Sequence, residues 1–461
     1  MSMTTSYSVI GLGKLGASMV VGIAHRGCNV IGVDVVPRSV ELVNIGRAPV
    51  QETNLDEMLS ANRARIRATL DYREAVLNSD VTFVVVPTPS EANGAFSLKY
   101  AAAAFREIGC ALAEKNSYHL VVMTSTVLPG STRYGLLPVL EQASGKKCGP
   151  DFGLCYSPEF IALGSVIHDF LNPDFLLVGE FDARSGERLE QVYTGIMENG
   201  APCQRMSIEN AELAKIALNT YVTTKITFAN MLADLCERLP GGDVDVVTNA
   251  IGLDTRIGRK YLKGALGYGG PCFPRDNVAL NYMALQLDTR AHIAETTDWC
   301  NRSLPDWLMT RLDHALRASS TVGVLGLTYK PYSHVTEESH GILLAKALIQ
   351  AGKRVIAFDP LVSEIAREEL PPGMTVYASL RECLAEADTV LITTPDLIFK
   401  NLKASDFNLD RVAVTVVDFW RILDRSIIQH PKIKYVAVGR SVDDAANAAR
   451  LAQLWTGDAE E

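Results

Sequence analysis

The stretch from Ser8 to Asp34 constrains the fold more than any other. Ser8-Val9-Ile10 runs into Gly11-Leu12-Gly13-Lys14-Leu15-Gly16, an apolar helical pattern continues to about Arg26, and a second strand over residues 30–33 ends at Asp34. Strand, G-x-G-x-x-G, helix, strand and acid together specify a βαβ unit of parallel sheet that receives a dinucleotide. Gly11, Gly13 and Gly16 allow the tight turn and a close pyrophosphate. With Lys14 and Leu15 they open the helix whose N-terminus holds the phosphates. Asp34 is placed to take the ribose hydroxyls, and a carboxylate there repels a 2′-phosphate, so NAD is expected over NADP. Arg38, close by, leaves NADP open as the alternative.

Further strands are expected at 81–86, ending in Pro87-Thr88-Pro89, and at 120–123, ending in Thr124-Ser125-Thr126. Ligands of open parallel sheets bind beyond the carboxyl ends of strands, so Pro87, Thr88, Ser125 and Thr126 are expected to line the cofactor cleft. The alternative is that they are simple strand-ending turns. A strand at 153–156 delivers Ser157-Pro158-Glu159-Phe160, where Glu159 is a candidate base or, equally, a helix cap. From about 211 to 239 the chain has neither glycine nor proline, which predicts one long helix bridging domains. Lys215 and Asn219 share one face of it, and a solvated face explains them as well. A second α/β unit is expected from strand 322–327, helix 341–351, strand 354–358 ending at Asp359-Pro360, and strands 389–393 and 412–418. It lacks G-x-G-x-x-G after its first strand. The expected fold is therefore α/β, with two Rossmann-like doubly wound domains joined by a long central helix and a helical region. The divisions fall at 1–205, 206–317 and 318–461, and the acidic end beyond Trp455 is expected to fray.

Between these domains lies Gly267-Tyr268-Gly269-Gly270-Pro271-Cys272-Phe273-Pro274-Arg275-Asp276. Three glycines and two prolines in ten residues exclude a helix or strand interior, so this is a loop displaying one thiol. If Pro274 opens a helix, Cys272 sits just before a helix N-terminus, which favours thiolate, with Asp276 in reach. The competing reading is a structural glycine loop with a small buried cysteine. The basic run 256–263 leads into it and could meet phosphates or be plain surface charge. A chain of 461 residues, 48% hydrophobic and with net charge -9, is an ordinary soluble globular type whose charge argues against nucleic-acid or anionic-membrane surfaces. Nine cysteines without a C-x-x-C pair fit free thiols in a reducing compartment, with no metal site visible. Residues 1–8 lack the regions of a signal peptide and no apolar run spans a membrane, so a cytoplasmic location is expected.

Taken together, the chain resembles the UDP-glucose/GDP-mannose dehydrogenase family over nearly its full length. The resemblance rests on the glycine motif with Asp34, Ser125-Thr126-Val127, Ser157-Pro158-Glu159-Phe160, Ala211-Glu212 with Lys215 and Asn219, the cysteine loop, and Gly326-Leu327-Thr328-Tyr329-Lys330, in the family's order. It implies oxidation of a nucleotide sugar's C6 alcohol to a carboxylate with two NAD+ in succession. It also implies roles: Lys215 and Asn219 at the first oxidation, Cys272 as nucleophile, and Asp276, Thr126 and Glu159 at thioester hydrolysis. Sugar-nucleotide contacts would come from Glu159, Phe160, Lys215, Asn219, Tyr261, Lys263, Tyr268, Gly269 and Lys330, with Arg256 reaching in from a neighbouring subunit of at least a homodimer. Arg275 would sit with the cofactor set. The chain departs from the family at Leu163, where a second glutamate is usual, and at Glu337, in an arginine's place. Pro-Glu-Phe and the subsequent Gly-Ser-x-Ile-x-Asp-Phe resemble the UDP-glucose branch more than the N-acetylhexosamine branch, with UDP-N-acetylhexosamine or GDP-mannose as alternative substrates and a non-catalytic nucleotide-sugar-binding protein as the other alternative.

Overall fold

The computed structural model describes residues 5–317, 319–361, 370–409 and 413–456. The expected fraying of the end and the first residue of the strand foreseen at 412–418 lie outside them. The chain divides into two compact units, Met1–Leu218 with Tyr282–Thr289, and Asn219–Asn281 with Arg290–Glu461.

The first unit is built on β1 (Tyr7–Ile10), β2 (Val30–Val33), β3 (Ile66–Thr69), β4 (Val81–Val84), β5 (Leu120–Met123), β6 (Gly153–Tyr156), β7 (Leu176–Glu180) and β8 (Cys203–Ser207). They form one sheet in the order β3-β2-β1-β4-β5-β6-β7-β8. Pairing is parallel throughout except between β6 and β7, where Tyr156 lies opposite Gly179. Strands β1, β4, β5 and β6 are buried at every residue, as a sheet covered by helices on both faces requires. Two apolar clusters flank it, one around Val20, Phe83 and Phe170, the other around Phe105, Val121 and Tyr156. Because β1 lies between β2 and β4, the strand order reverses there and a crevice opens at the strands' carboxyl ends.

Helix α1 (Lys14–His25) comes after β1, and the long helix expected from the glycine-free stretch is α2 (Ile208–Glu237), 30 residues and about 45 Å at the α-helical rise. The boundary between the two units falls within it. Helix α3 (Phe273–Gln286) begins in the second unit, one residue after Cys272 and with Pro274 in its first turn, and its residues from Tyr282 on belong to the first; α4 (His292–Arg311) lies in the second unit. Strands β9 (Thr321–Leu325), β10 (Arg354–Phe358), β11 (Met374–Val376), β12 (Thr389–Ile392), β13 (Val414–Asp418) and β14 (Ile433–Ala437) form a wholly parallel sheet, β11-β10-β9-β12-β13-β14. Helix α5 (His340–Gln350) packs on it, and apolar clusters around Leu344 and around Phe399 line its faces. Both sheets have the doubly wound order that the sequence predicts. No helix among the described residues is long and apolar enough to cross a membrane.

Candidate active site

In the first unit the glycine turn is held at both ends. Gly11 N–H donates to Val33 O at 2.7 Å, and Asp34 accepts the Leu12 N–H at 2.7 Å and the Val36 N–H at 2.9 Å. Gly11 has φ 101°, a conformation that costs glycine nothing. A Cβ on Gly13 would meet no atom within 4 Å, and this N-cap leaves the first turn of α1 without a side-chain cap. The turn therefore offers open space and unsatisfied N–H groups to an anion, which fits a dinucleotide pyrophosphate. Asp34 is half-buried and has acceptor capacity beyond its two backbone bonds. The ends of β4 and β5 are tied together: Thr88 Oγ1 donates to Thr126 O at 2.7 Å and Ser125 Oγ to Val86 O at 2.6 Å. Pro87 stands exposed beside them.

Glu159 lies just beyond β6 and is buried, so its carboxyl is pushed up to about 7 by desolvation, with Lys215 pulling the other way. Lys215 donates from Nζ to the Glu159 carbonyl at 2.6 Å and lies 4.5 Å above the centre of the Phe160 ring. Phe160 in turn packs on Phe175 with ring centres 4.8 Å apart. At 9% exposure Lys215 is not on a solvated helix face.

In the second unit, Asn219 Nδ2 donates to Asp276 Oδ2 at 2.6 Å, and both side chains are buried. Asp276 lies in the first turn of α3, where its N–H reaches the Cys272 carbonyl at 3.0 Å and its carboxylate lies 3.7 Å from Arg275 Nε. Cys272 itself is exposed, so the reading of a buried structural thiol does not describe it. Its loop is pinned from several sides. Asn301 clamps Tyr268, accepting its N–H and donating to its carbonyl, each at 2.9 Å. Asn277 donates to Tyr268 Oη at 3.2 Å and to Thr223 Oγ1 at 3.0 Å. Gly270 N–H donates to the Glu337 carbonyl at 2.9 Å. Gly270 has φ 80°, and a Cβ there would lie 2.7 Å from the Tyr329 ring, so no other residue fits. Burial pushes the Tyr329 phenol up to about 12, and the Cys272 thiol adds to the rise.

The remaining expected contacts lie around these two centres. Tyr261, with φ 65°, is exposed and meets the Phe273 ring edge-on at 6.3 Å between centres. Lys263 Nζ is 3.9 Å from Asp245, which is held by a two-point ion pair with Arg421. Lys330 Nζ lies 5.6 Å from the Tyr329 ring centre. Arg256 is exposed and paired at 2.6 Å with Asp254. Leu163 is half-buried, and Glu337 is exposed, meeting the cysteine loop through its backbone carbonyl. The residues that the motifs leave unassigned, Tyr329, Asn277, Asn301 and Glu212, act through tertiary contacts. Their sequence signal is limited to Tyr329 and Glu212 standing inside the motifs quoted above.

Models of one protein family match most of the chain. The model of the NAD-binding domain of the UDP-glucose/GDP-mannose dehydrogenase family matches residues 5–197, that of its central domain residues 209–303, and that of its UDP-binding domain residues 323–425. The chain belongs to the UDP-glucose/GDP-mannose dehydrogenase family. By that membership it is an NAD-dependent nucleotide-sugar 6-dehydrogenase. Among its relatives, the UDP-glucose 6-dehydrogenase AglM of Haloferax volcanii is 35% identical over 422 residues, 91% of this chain and 97% of that one. The GDP-mannose 6-dehydrogenase of Pseudomonas aeruginosa is 35% identical over 413 residues, 86% of this chain and 92% of that one. Among solved structures, a UDP-glucose dehydrogenase from Pyrobaculum islandicum superposes with a TM-score of 0.86 at 33% identity, covering 95% of this chain and 99% of that one. The glycine turn thus belongs to the family's NAD-binding domain and β9 to β13 to its UDP-binding domain.

Proposed function

We propose that the chain oxidises the C6 hydroxymethyl of a UDP-sugar, UDP-glucose first among them, to the carboxylate. The observation that carries this reading is the exposed Cys272 at the start of α3, backed by the buried Asn219–Asp276 pair. NAD+, when bound at the glycine turn and Asp34, supplies the hydride acceptor for each oxidation. In the first, Lys215 takes the hydroxyl proton, directly or through a water, and the Asn219 amide steadies the developing alkoxide as C6 loses a hydride. An aldehyde gives up a second hydride only after a nucleophile adds. Cys272 bonds to that carbon, the carbonyl oxygen takes a proton, and a thiohemiacetal forms. Loss of hydride and proton leaves a thioester. Water then adds, the C–S bond breaks and the thiolate is released.

Asp276, Thr126 and Glu159 are assigned to that water. Glu159 suits the part because burial holds it half-ionised near neutrality. Tyr261, Lys263, Tyr268, Gly269, Phe160 and Lys330 are assigned to the sugar nucleotide. A homodimer is part of the proposal, with Arg256 serving the neighbouring site. It is supported by an exposed apolar groove on α2 and α4 that includes Phe228, Met231, Trp299 and Trp307. A cytoplasmic setting suits nine free thiols.

The relatives that act on GDP-mannose are as similar as one that acts on UDP-glucose, so a GDP-sugar is the second reading. Purified protein given a panel of UDP- and GDP-sugars with NAD+, monitored by NADH formation, tests both. Turnover of UDP-glucose well above GDP-mannose is expected. The reverse order selects the second reading, and no turnover of either contradicts the substrate class.

A further inference from the structure

The turn after β5 carries Ser125 and Thr126 and then runs through Gly130, φ 89°, into a short π-helical segment, Ser131–Leu136. One side chain of α2 holds this passage. Glu212, wholly buried, accepts the Gly130 N–H at 2.5 Å and the Thr132 N–H at 2.9 Å. One turn earlier on α2, Glu209 pairs with Arg133 at 2.5 Å. The far side of the same turn is tied to β4 by Thr88 and Ser125. The turn is therefore suspended between two anchors, and the one on α2 is a carboxylate with two backbone donors.

We propose that Glu212 is a positioning residue for the cofactor turn, whose ionised carboxylate holds the Gly130 and Thr132 N–H groups and so sets Ser125 and Thr126 against the bound nicotinamide dinucleotide. The chemistry favours a role beyond a simple clasp. Burying a carboxylate costs more than burying an amide or hydroxyl, and a clasp for two N–H groups needs only acceptor oxygens. An ionised carboxylate gives charge-assisted bonds to both donors, roughly twice as strong as neutral ones. A protonated one keeps a weaker acceptor and adds a donor that faces two other donors.

The charged group that acts on Glu212 is Glu209 on its own helix, which is itself paired with Arg133 on the π-helical segment. Lys215, one turn further on, is directed to the Glu159 carbonyl. Desolvation pushes Glu212 up to about 7, its bonds to Gly130 and Thr132 oppose the rise, and Glu209 adds to it. An acid whose folded value is raised is charged at a cost, so this group's stabilising contribution is largest below its unfolded range and falls as pH rises towards 7. Grip on the turn changes the other way, weak below 7 and full above.

The inference rests on NAD binding alone and not on which sugar is oxidised, so the test needs no substrate. NADH affinity is measured by fluorescence at pH 6 and pH 8 for the wild type, Glu212→Gln and Glu212→Asp, with thermal melts as the check on folding. The expected wild-type Kd is several-fold weaker at pH 6. Glu212→Gln should show about the acid value at both, roughly tenfold weaker than wild type at pH 8, and Glu212→Asp should recover part of the pH dependence. Wild-type affinity and pH dependence in a folded Glu212→Gln would overturn the proposal, whatever its melting temperature. Should Glu212→Gln not fold, hydrogen exchange at the Gly130 and Thr132 amides of the wild type decides. Protection, corrected for intrinsic rate, that rises from pH 6 to 8 supports the proposal, and flat protection refutes it.

Discussion

The two parallel sheets begin alike and end in different uses. In each, the glycine after the first strand has positive φ, 101° at Gly11 and 110° at Gly326, and donates its N–H to the last residue of the second strand, Val33 or Phe358. In each, a second glycine, Gly16 or Gly341, lets its helix close onto the first glycine's carbonyl. In each, an acid at the end of the second strand caps the turn. They part at the length of chain between that glycine and its helix. After Gly11 the helix starts at Lys14, so its N-terminus and the half-buried Asp34 remain available to a ligand. After Gly326 the helix waits until His340, and the buried Asp359 spends one oxygen on three donors, Leu327 N, Thr328 N and Thr328 Oγ1. The inserted loop instead receives the cysteine loop of its own unit, at the Glu337 and Glu338 carbonyls and the Tyr329 ring. One scaffold thus presents a dinucleotide turn, while the other seats the loop that displays Cys272.

The largest effect is expected where that seat is tightest. Gly270→Ala combines an unfavourable φ with a clash against Tyr329, a strain of about 2–3 kcal/mol, and should cut sugar oxidation roughly 100-fold while leaving NADH affinity alone. Near-normal turnover would mean the cysteine loop is not seated this way during catalysis. Asp359→Asn, which weakens three buried hydrogen bonds, should lower stability by about 2 kcal/mol in a denaturant melt without changing NADH affinity. Weaker NADH binding there would erase the contrast between the two acids. Its counterpart Asp34→Asn should weaken NADH roughly tenfold, because a charge-assisted ribose contact is lost, with sugar-nucleotide KM nearly unchanged. Glu337→Arg should change little, within about twofold in KM, since that residue serves the loop through its backbone carbonyl. A collapse of turnover in this variant would give the side chain a part beside that of the carbonyl.

Local pattern made much of this legible. The bounds expected for β2, β5, β6 and β10 coincide with the observed strands, because each is a short apolar run with turn residues at its ends. Helix α2 begins at Ile208 and ends at Glu237, a shift of a few residues from the span without glycine or proline. Strands β3, β7, β8, β11 and β14 escaped notice. The antiparallel pairing of β7 is a long-range choice, and β8 is a partly exposed edge, Cys-Gln-Arg-Met-Ser, with no clear alternation. In the site, Cys272 and Asp276 stand out by the composition of their loop, Lys215 and Asn219 gain a role only through the family resemblance, and outside the motif that holds Glu212 the residues Asn277 and Asn301 look like any helical polar residue. Their partners lie dozens of residues away, so only folding shows that they hold the turns on which the chemistry stands.

The claim that the seated thiol traps an aldehyde for a second oxidation is tested most directly by stoichiometry. Limiting nucleotide sugar with excess NAD+ should give two NADH per sugar consumed, with the carboxylate as product and no free aldehyde. One NADH per sugar, with aldehyde released, would contradict it.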